Sequence, residues 1–240
     1  MKAQERHHLK QNEFVATVAR TSAFVRANRD RLVLGAAVLV VALLAGGGYL
    51  YWRSYTNDQA SALLGTAMTI AEAQIAPPSS LPGAAQAPGT YASDRARQEA
   101  ALKAFEEVAS RYASTPAGLA ARYQAAACLL ALERFPEAEQ AFQDVATRGG
   151  SAIYAPMARL GLAETFLSAK QFDKAIAAFT ELAADRNGPL PVDGVLIHLA
   201  QACEKAGKPQ DARAAYKRVV DEFPDSNYVA EARQKLALLG

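Results

Sequence analysis

Three histidines, two cysteines and a few adjacent carboxylates are the residues of this chain whose types suit catalysis or metal binding. His7 and His8 are neighbours, and adjacent side chains on a helix diverge by about 100°, so the pair does not converge on one metal ion. His198 stands in a helical stretch without a ligand at metal spacing, and reads as a packed or groove-facing side chain. Glu106–Glu107 and Asp221–Glu222 fall on polar helix faces, without the apolar surroundings that lift a carboxyl into a catalytic range. Cys128 and Cys203 lack CxxC spacing and are too few for a disulfide framework, so they read as small buried residues. HExxH, GxSxG, P-loop and GxGxxG patterns are absent. The expectation is a protein without catalytic residues, metal or cofactor, and not an enzyme.

The elements that carry these residues are helical by composition. Apolar residues make up 51% and charged residues 21%, which is ordinary globular usage. Alanine is abundant, and β-branched runs are scarce outside residues 32–41, which favours helix over sheet. The formal charge of +2 hides an asymmetry. Seven basic residues face three acids before Leu32, a surplus of +4, whereas 19 basic and 21 acidic residues follow it. A basic nucleic-acid binder does not partition charge in this way, and no nucleic acid is expected as a partner.

Leu32–Trp52 holds 21 residues without a charge, including six leucines and four valines. As helix it spans about 31 Å, against roughly 30 Å of bilayer hydrocarbon. Its leucines and valines favour insertion by roughly 3 to 6 kcal/mol. Asn28 suits a cap upstream, and Tyr49, Tyr51, Trp52 and Tyr55 gather at the far end, where an aromatic belt meets the headgroups. The basic tail, residues 1–31, places the N-terminus in the cytoplasm and the remainder across the membrane. A cleaved signal peptide is the rival reading, since Ala45, Gly46 and Gly47 suit a cleavage site. The length of the basic region and the continuation of the apolar run into aromatics favour a retained transmembrane helix. Residues Leu9, Phe14, Val18 and Val25 give the tail a weak amphipathic pattern, which reads as a topology determinant ahead of a contact face.

Residues 53–90 read as a helical stem, with Ala60, Leu63, Leu64, Ala67, Ile70 and Ala71 in helical spacing over 56–75, followed by a Pro/Gly-rich flexible loop at Pro77–Thr90. From residue 91 to 240 a period of 37 residues emerges. Ala101, Ala138, Ala175 and Ala212 share one phase; Phe105, Phe142, Phe179 and Tyr216 lie four residues on; Val108, Val145, Leu182 and Val219 follow three later. Arg122, Arg159 and Arg233 share another phase, interrupted by Leu196. Three apolar columns four deep, at i, i+4 and i+7, define helix pairs that bury their faces only against neighbours. The predicted pairs turn at Glu133–Phe135, near Lys170–Phe172 with Asp173 as a cap, and at Gly207–Lys208. The last helix, Asn227–Leu238, reads as a solvating cap.

The small residue, alanine, and aromatic four on resemble the tetratricopeptide repeat, lengthened by three residues between units. The resemblance covers about Ser93–Gly240 and implies an all-α fold: one N-terminal transmembrane helix, then a solenoid of helix pairs. Phe223–Tyr228 and its echo at Tyr112–Ala117 are similar to repeat junctions in bacterial envelope proteins of this class. In the first unit the inner helix is expected from residues 56–75. The whole layout also resembles the ancillary subunit of the bacterial Sec translocon in the inner membrane. That likeness implies a periplasmic repeat domain and, as partners, translocon subunits or periplasmic chaperones, besides the lipid bilayer.

Inner helices line the concave side of such solenoids. Repeat register directs Tyr123, Leu130, Met157, Leu160, Glu164, Leu167, Ile197, Gln201, Glu204 and Lys205 there, a mainly apolar surface with a polar end that suits peptide segments. Packing against the outer helices is the alternative role for several of them. The Lys/Asn/Arg clamp by which some family members grip a C-terminal carboxylate is not visible. The expectation is a protein–protein interaction scaffold. A scaffold for envelope or cell-wall assembly is the alternative, and an enzyme accessory using the His198 region is a third.

Overall fold

The computed structural model describes residues 18–21, 24–76, 87–148 and 153–239. His7, His8, Leu9, Phe14, most of the basic tail and residues 77–86 of the Pro/Gly-rich segment lie outside the described residues. The chain divides into two compact units, Met1–Tyr55 and Thr56–Gly240.

Helix α1, Arg29–Ala71, runs through the boundary between them. In the first unit, every described side chain from Val33 to Tyr55 is exposed, with Leu44 at 71% and Tyr51 at 76%. By length and composition α1 is long and apolar enough to cross a membrane. Asn28 does not cap it. Its side-chain amide donates to the Phe24 carbonyl at 3.1 Å, closing a preceding turn rather than accepting from the N–H groups of α1.

The second unit begins with the end of α1 and not at residue 91, because that end is apolar on one side. Ala60 and Ala67 are buried, and Leu63, Leu64, Met68, Ile70 and Ala71 join the core around Phe105 and Phe142. These residues supply the inner helix that the first repeat needs. A short parallel pairing follows, β1 (Gln74–Ile75) with β2 (Thr90–Tyr91), which a two-residue length kept out of any sequence periodicity.

Then come α2 (Asp94–Arg111), α3 (Pro116–Ala131), α4 (Phe135–Arg148), α5 (Tyr154–Ser168), α6 (Phe172–Ala184), α7 (Val192–Lys205), α8 (Pro209–Glu222) and α9 (Val229–Leu239). Each packs on its chain neighbours, and α3 also meets α5, the inner helix of the next pair. The fold is an all-α solenoid of tetratricopeptide type.

The 37-residue period is a packing period. Ala101, Ala138, Ala175 and Ala212 are each 0% exposed, and Phe105, Phe142, Phe179 and Tyr216 are 0–1% exposed. The absence of a side chain beyond Cβ lets a neighbouring helix approach, and the aromatic one turn on fills the space beside it. Gly161 takes this furthest: a Cβ there would stand 2.5 Å from the Phe142 ring. In the third column Val108, Val145 and Val219 are buried, while Leu182 is half-buried.

The turns inside the pairs repeat as closely. Glu133, Lys170 and Gly207, one period apart, all adopt left-handed backbone, with φ of 59°, 61° and 71°. At each, the following N–H reaches back to an inner-helix carbonyl: Arg134 to Leu129 at 2.9 Å, Gln171 to Phe166 at 2.8 Å, Lys208 to Cys203 at 2.9 Å. This is the six-to-one closure of a helix C-terminus. Gln171, not Asp173, therefore occupies the N-cap position of α6, without a side-chain cap bond. The Asp173 carboxylate instead accepts from Lys208 Nζ at 2.7 Å, linking one turn to the next.

The junctions between pairs also correspond. The Thr115 hydroxyl accepts from Gly118 N–H at 3.0 Å and donates to the Tyr112 carbonyl at 2.9 Å. Ser226, three periods later, donates to Asp193 at 2.6 Å. A Cβ on Gly118 would fall 2.0 Å from the Tyr112 carbonyl oxygen, so this junction requires glycine.

The three left-handed turns predict mutational effects of opposite sign at equivalent positions. Glu133→Gly and Lys170→Gly relieve a side chain from a conformation costing roughly 1–2 kcal/mol, partly offset by the greater freedom of glycine when unfolded. Each is expected to raise stability by about 0.5 kcal/mol, and Gly207→Ala to lower it by about 1 kcal/mol. Urea unfolding followed by circular dichroism checks the signs; three changes of one sign would contradict the shared turn.

Candidate functional site

The inner surface is built by α3, α5 and α7, whose ten register-selected residues do not share one fate. Leu167 and Ile197 are core residues, 9% and 4% exposed, and have no side-chain surface left for a ligand. Both belong to the core cluster that holds Phe179 and Tyr216. Leu130, Met157, Leu160 and Gln201 are half-buried, and Lys205 is exposed. Glu204 is already neutralised, with Lys235 of α9 at 2.8 Å.

Tyr123 and Glu164 each keep part of their side chain open. The Tyr123 ring lies 5.8 Å from Phe142, edge-on, and 5.9 Å from Tyr154. Burial raises its phenol pKa, and the charges of Glu164 and Tyr154 add to the shift. Glu164 keeps 38% of its side chain exposed, with Oε1 3.9 Å from His198 Nε2. Burial lifts its carboxyl above the ordinary range, and His198 opposes that lift.

Two participants escaped the register-based selection. His198 lies flat on Phe179, 5.7 Å between centroids and 11° between planes. Tyr154 opens α5 beside Tyr123. The signal for His198 is its phase: it is one period from Gly161, the residue pressed under the preceding aromatic Phe142. Tyr154 precedes the regular part of its repeat and gave no such signal.

The thiols take no part in this surface. Cys128 and Cys203 are free and buried. Burial first, then Glu106, pushes Cys128 up to about 11. Burial also raises Cys203, with Asp211 adding to it. Thiols held protonated in this way are poor nucleophiles. Glu106, Glu107, Asp221 and Glu222 are exposed on outer faces.

A stack of helix pairs with a mixed aromatic and acidic inner face defines a helical-repeat binding scaffold. The family model described as a tetratricopeptide repeat-like domain matches residues 23–240, and the chain belongs to that family. Among solved structures it is similar to the nearly identical TPR-like repeats of a Podosopora anserina protein described as a kinesin light chain. The TM-score is 0.51 and identity 18%, over 60% of this chain and 77% of that one. A point variant of the same protein matches equally. No curated protein matches the chain. Tetratricopeptide-like domains are in general non-catalytic scaffolds, and their partners are proteins.

Glu164 yields a prediction about stability. A carboxyl whose pKa is raised by folding is penalised once ionised, so the penalty is absent at low pH and grows as pH rises through the carboxylate range. Glu164→Gln is therefore expected to melt slightly above the parent at neutral pH and together with it well below the carboxylate range. Thermal melts across pH decide this; a variant less stable at pH 7 would make the carboxylate a structural element.

Proposed function

We propose that the chain is a membrane-tethered scaffold on the periplasmic side of the bacterial inner membrane, with its N-terminus in the cytoplasm. Its inner face binds polypeptides in transit or their handlers, as expected of the ancillary translocon subunits it resembles. The observation that carries this reading is the uncharged stretch Leu32–Trp52, fully exposed where its side chains are described, between a +4 tail and a binding solenoid. Apolar side chains exposed over such a length are stable only in lipid or against another protein. The family match begins at residue 23, so the stretch belongs to the matched region and is not an appendage to it. Positive charge before the span, against Arg53 alone in residues 53–90 just after it, favours the stated direction.

The inner face supports polypeptide binding in particular. It offers Tyr123, Leu130, Met157 and Leu160 as partly open apolar surface, with Glu164 and Gln201 for polar contacts. Leu167 and Ile197 contribute as the floor beneath it.

A topology reporter fused after Tyr55 is expected to be active only as a periplasmic enzyme, with the mature chain retaining its N-terminal residues. A mature chain starting near Gly48 would remove the tether and leave an exported solenoid. Leu39→Arg places a charge at mid-span, at about 2.5–3.5 kcal/mol on the insertion scale, and should deplete the membrane fraction. Crosslinking in intact membranes should recover translocon subunits or periplasmic chaperones. Recovery of cell-wall enzymes alone would favour a scaffold for envelope assembly.

A further inference from the structure

We propose that Asn187 is a site of slow chemical modification in the loop between α6 and α7. Its side-chain amide is lost to attack by the Gly188 backbone nitrogen, which leaves aspartate and isoaspartate.

The attack needs a free asparagine side chain, a following nitrogen that is loosely held, and no bulk on the next residue. Asn187–Gly188 is the one asparagine–glycine step in the sequence. Residues 185–191 form neither helix nor strand, so no ladder of hydrogen bonds fixes the backbone there. The Asn187 side chain is exposed, and among the described residues none hydrogen-bonds it. The Gly188 N–H donates to the Asp185 carbonyl at 3.4 Å, longer than the about 2.7–3.2 Å of an ordinary bond. Glycine also brings no Cβ to crowd the approach and leaves the backbone free to turn.

The other asparagines lack one or more of these conditions. Asn57 is half-buried within α1, where helical backbone excludes the required turn. Asn28 spends its amide on the Phe24 carbonyl at 3.1 Å and is followed by Arg29. Asn12 lies outside the described residues and is followed by glutamate. Asn227 is the closest comparison, being exposed in the junction before α9. There, however, the next N–H, that of Tyr228, donates to the Ser226 hydroxyl at 3.1 Å, and a ring follows.

The Gly188 nitrogen bonds to Asn187 Cγ, the Cγ–Nδ2 bond breaks, and ammonia leaves. The proton lost by the Gly188 nitrogen reaches the leaving nitrogen through solvent, and a five-membered succinimide closes. Water then opens the ring at either carbonyl. One opening restores the ordinary backbone with aspartate; the other routes the backbone through the side chain as isoaspartate. Water enters and ammonia departs, with no change of oxidation state. The product carries a new negative charge next in the chain to Arg186, whose guanidinium pairs with Glu222 of α8 at 2.6 Å. That charge competes for the ion pair that fastens this loop to the next helix pair.

The test incubates the purified full chain in non-ionic detergent at mildly alkaline pH and follows it by mass spectrometry. Lysine-specific digestion releases residues 175–205, a peptide whose sole asparagine is Asn187. Aspartate and isoaspartate are expected to accumulate there about tenfold faster than at Asn227. Gly188→Ala should slow the conversion about tenfold. A Cβ at Gly188 meets Asp185 Oδ2 at 2.6 Å, the end of an exposed side chain that can swing aside, so the variant is expected to fold. Melting curves check that, and Asn227 serves as the reference within the unaltered chain. Conversion at Asn187 no faster than at Asn227 overturns the proposal. So does a rate unchanged by Gly188→Ala, or aspartate formed without isoaspartate, which would indicate direct hydrolysis by water.

Discussion

The solenoid depends on one contact: an aromatic ring on each outer helix wedged beside an alanine one turn earlier. Phe105, Phe142, Phe179 and Tyr216 are almost wholly buried, and fully burying such a ring is worth about 1.5–3 kcal/mol. No single helix pair can supply that burial, because each ring needs the next inner helix as a lid. Gly161 under Phe142 and His198 on Phe179 are two versions of that lid, one by close approach and one by stacking. Stability is thus distributed along the stack, and its two ends need special treatment.

The ends are treated differently. At the start, the second half of α1 contributes Ala60 and Ala67, so a helix whose earlier residues are exposed and apolar also completes the first repeat. Arg97 reinforces the arrangement by donating to the Ala73 carbonyl at 3.3 Å just beyond that helix. At the finish, α9 buries Val229 and Ala232 against the last pair and turns Arg233 and Gln234 outward. Lys235 returns to Glu204, so the terminal helix is held by charge as well as by packing.

Much of this architecture was legible in the sequence, because core packing enforces identity at fixed phase. The alanine and aromatic columns and the use of residues 56–75 as an inner helix follow from apolar spacing, although that helix ends at Ala71, and the turn at Gly207–Lys208 follows from its glycine. Less legible were features carried by backbone geometry. Glu133 and Lys170 do not announce a left-handed turn by residue type; only their phase with Gly207 does. Asp173 looked like a cap because aspartate favours that position, yet an ion pair with Lys208 claims it. The β1–β2 pairing, two residues on each side, is too short to leave a pattern.

The inner face was the hardest part to read, for a reason that also indicates where to look. Positions that pack are constrained to resemble one another, so periodicity finds them; positions that meet a ligand are released from it. Register alone placed Ile197 with Tyr123, although one is sealed into the core and the other is partly open. The informative residues are those that break their column. Ala127, Glu164 and Gln201 share a phase, and only the middle one carries a charge. Gln124, Gly161, His198 and Lys235 share the next, and no two are chemically alike. Folding does not call for a half-buried carboxylate where its neighbours in phase have a methyl group and an amide. The departure from the period, more than the period itself, is what gives one stretch of a uniform helical stack a chemical identity.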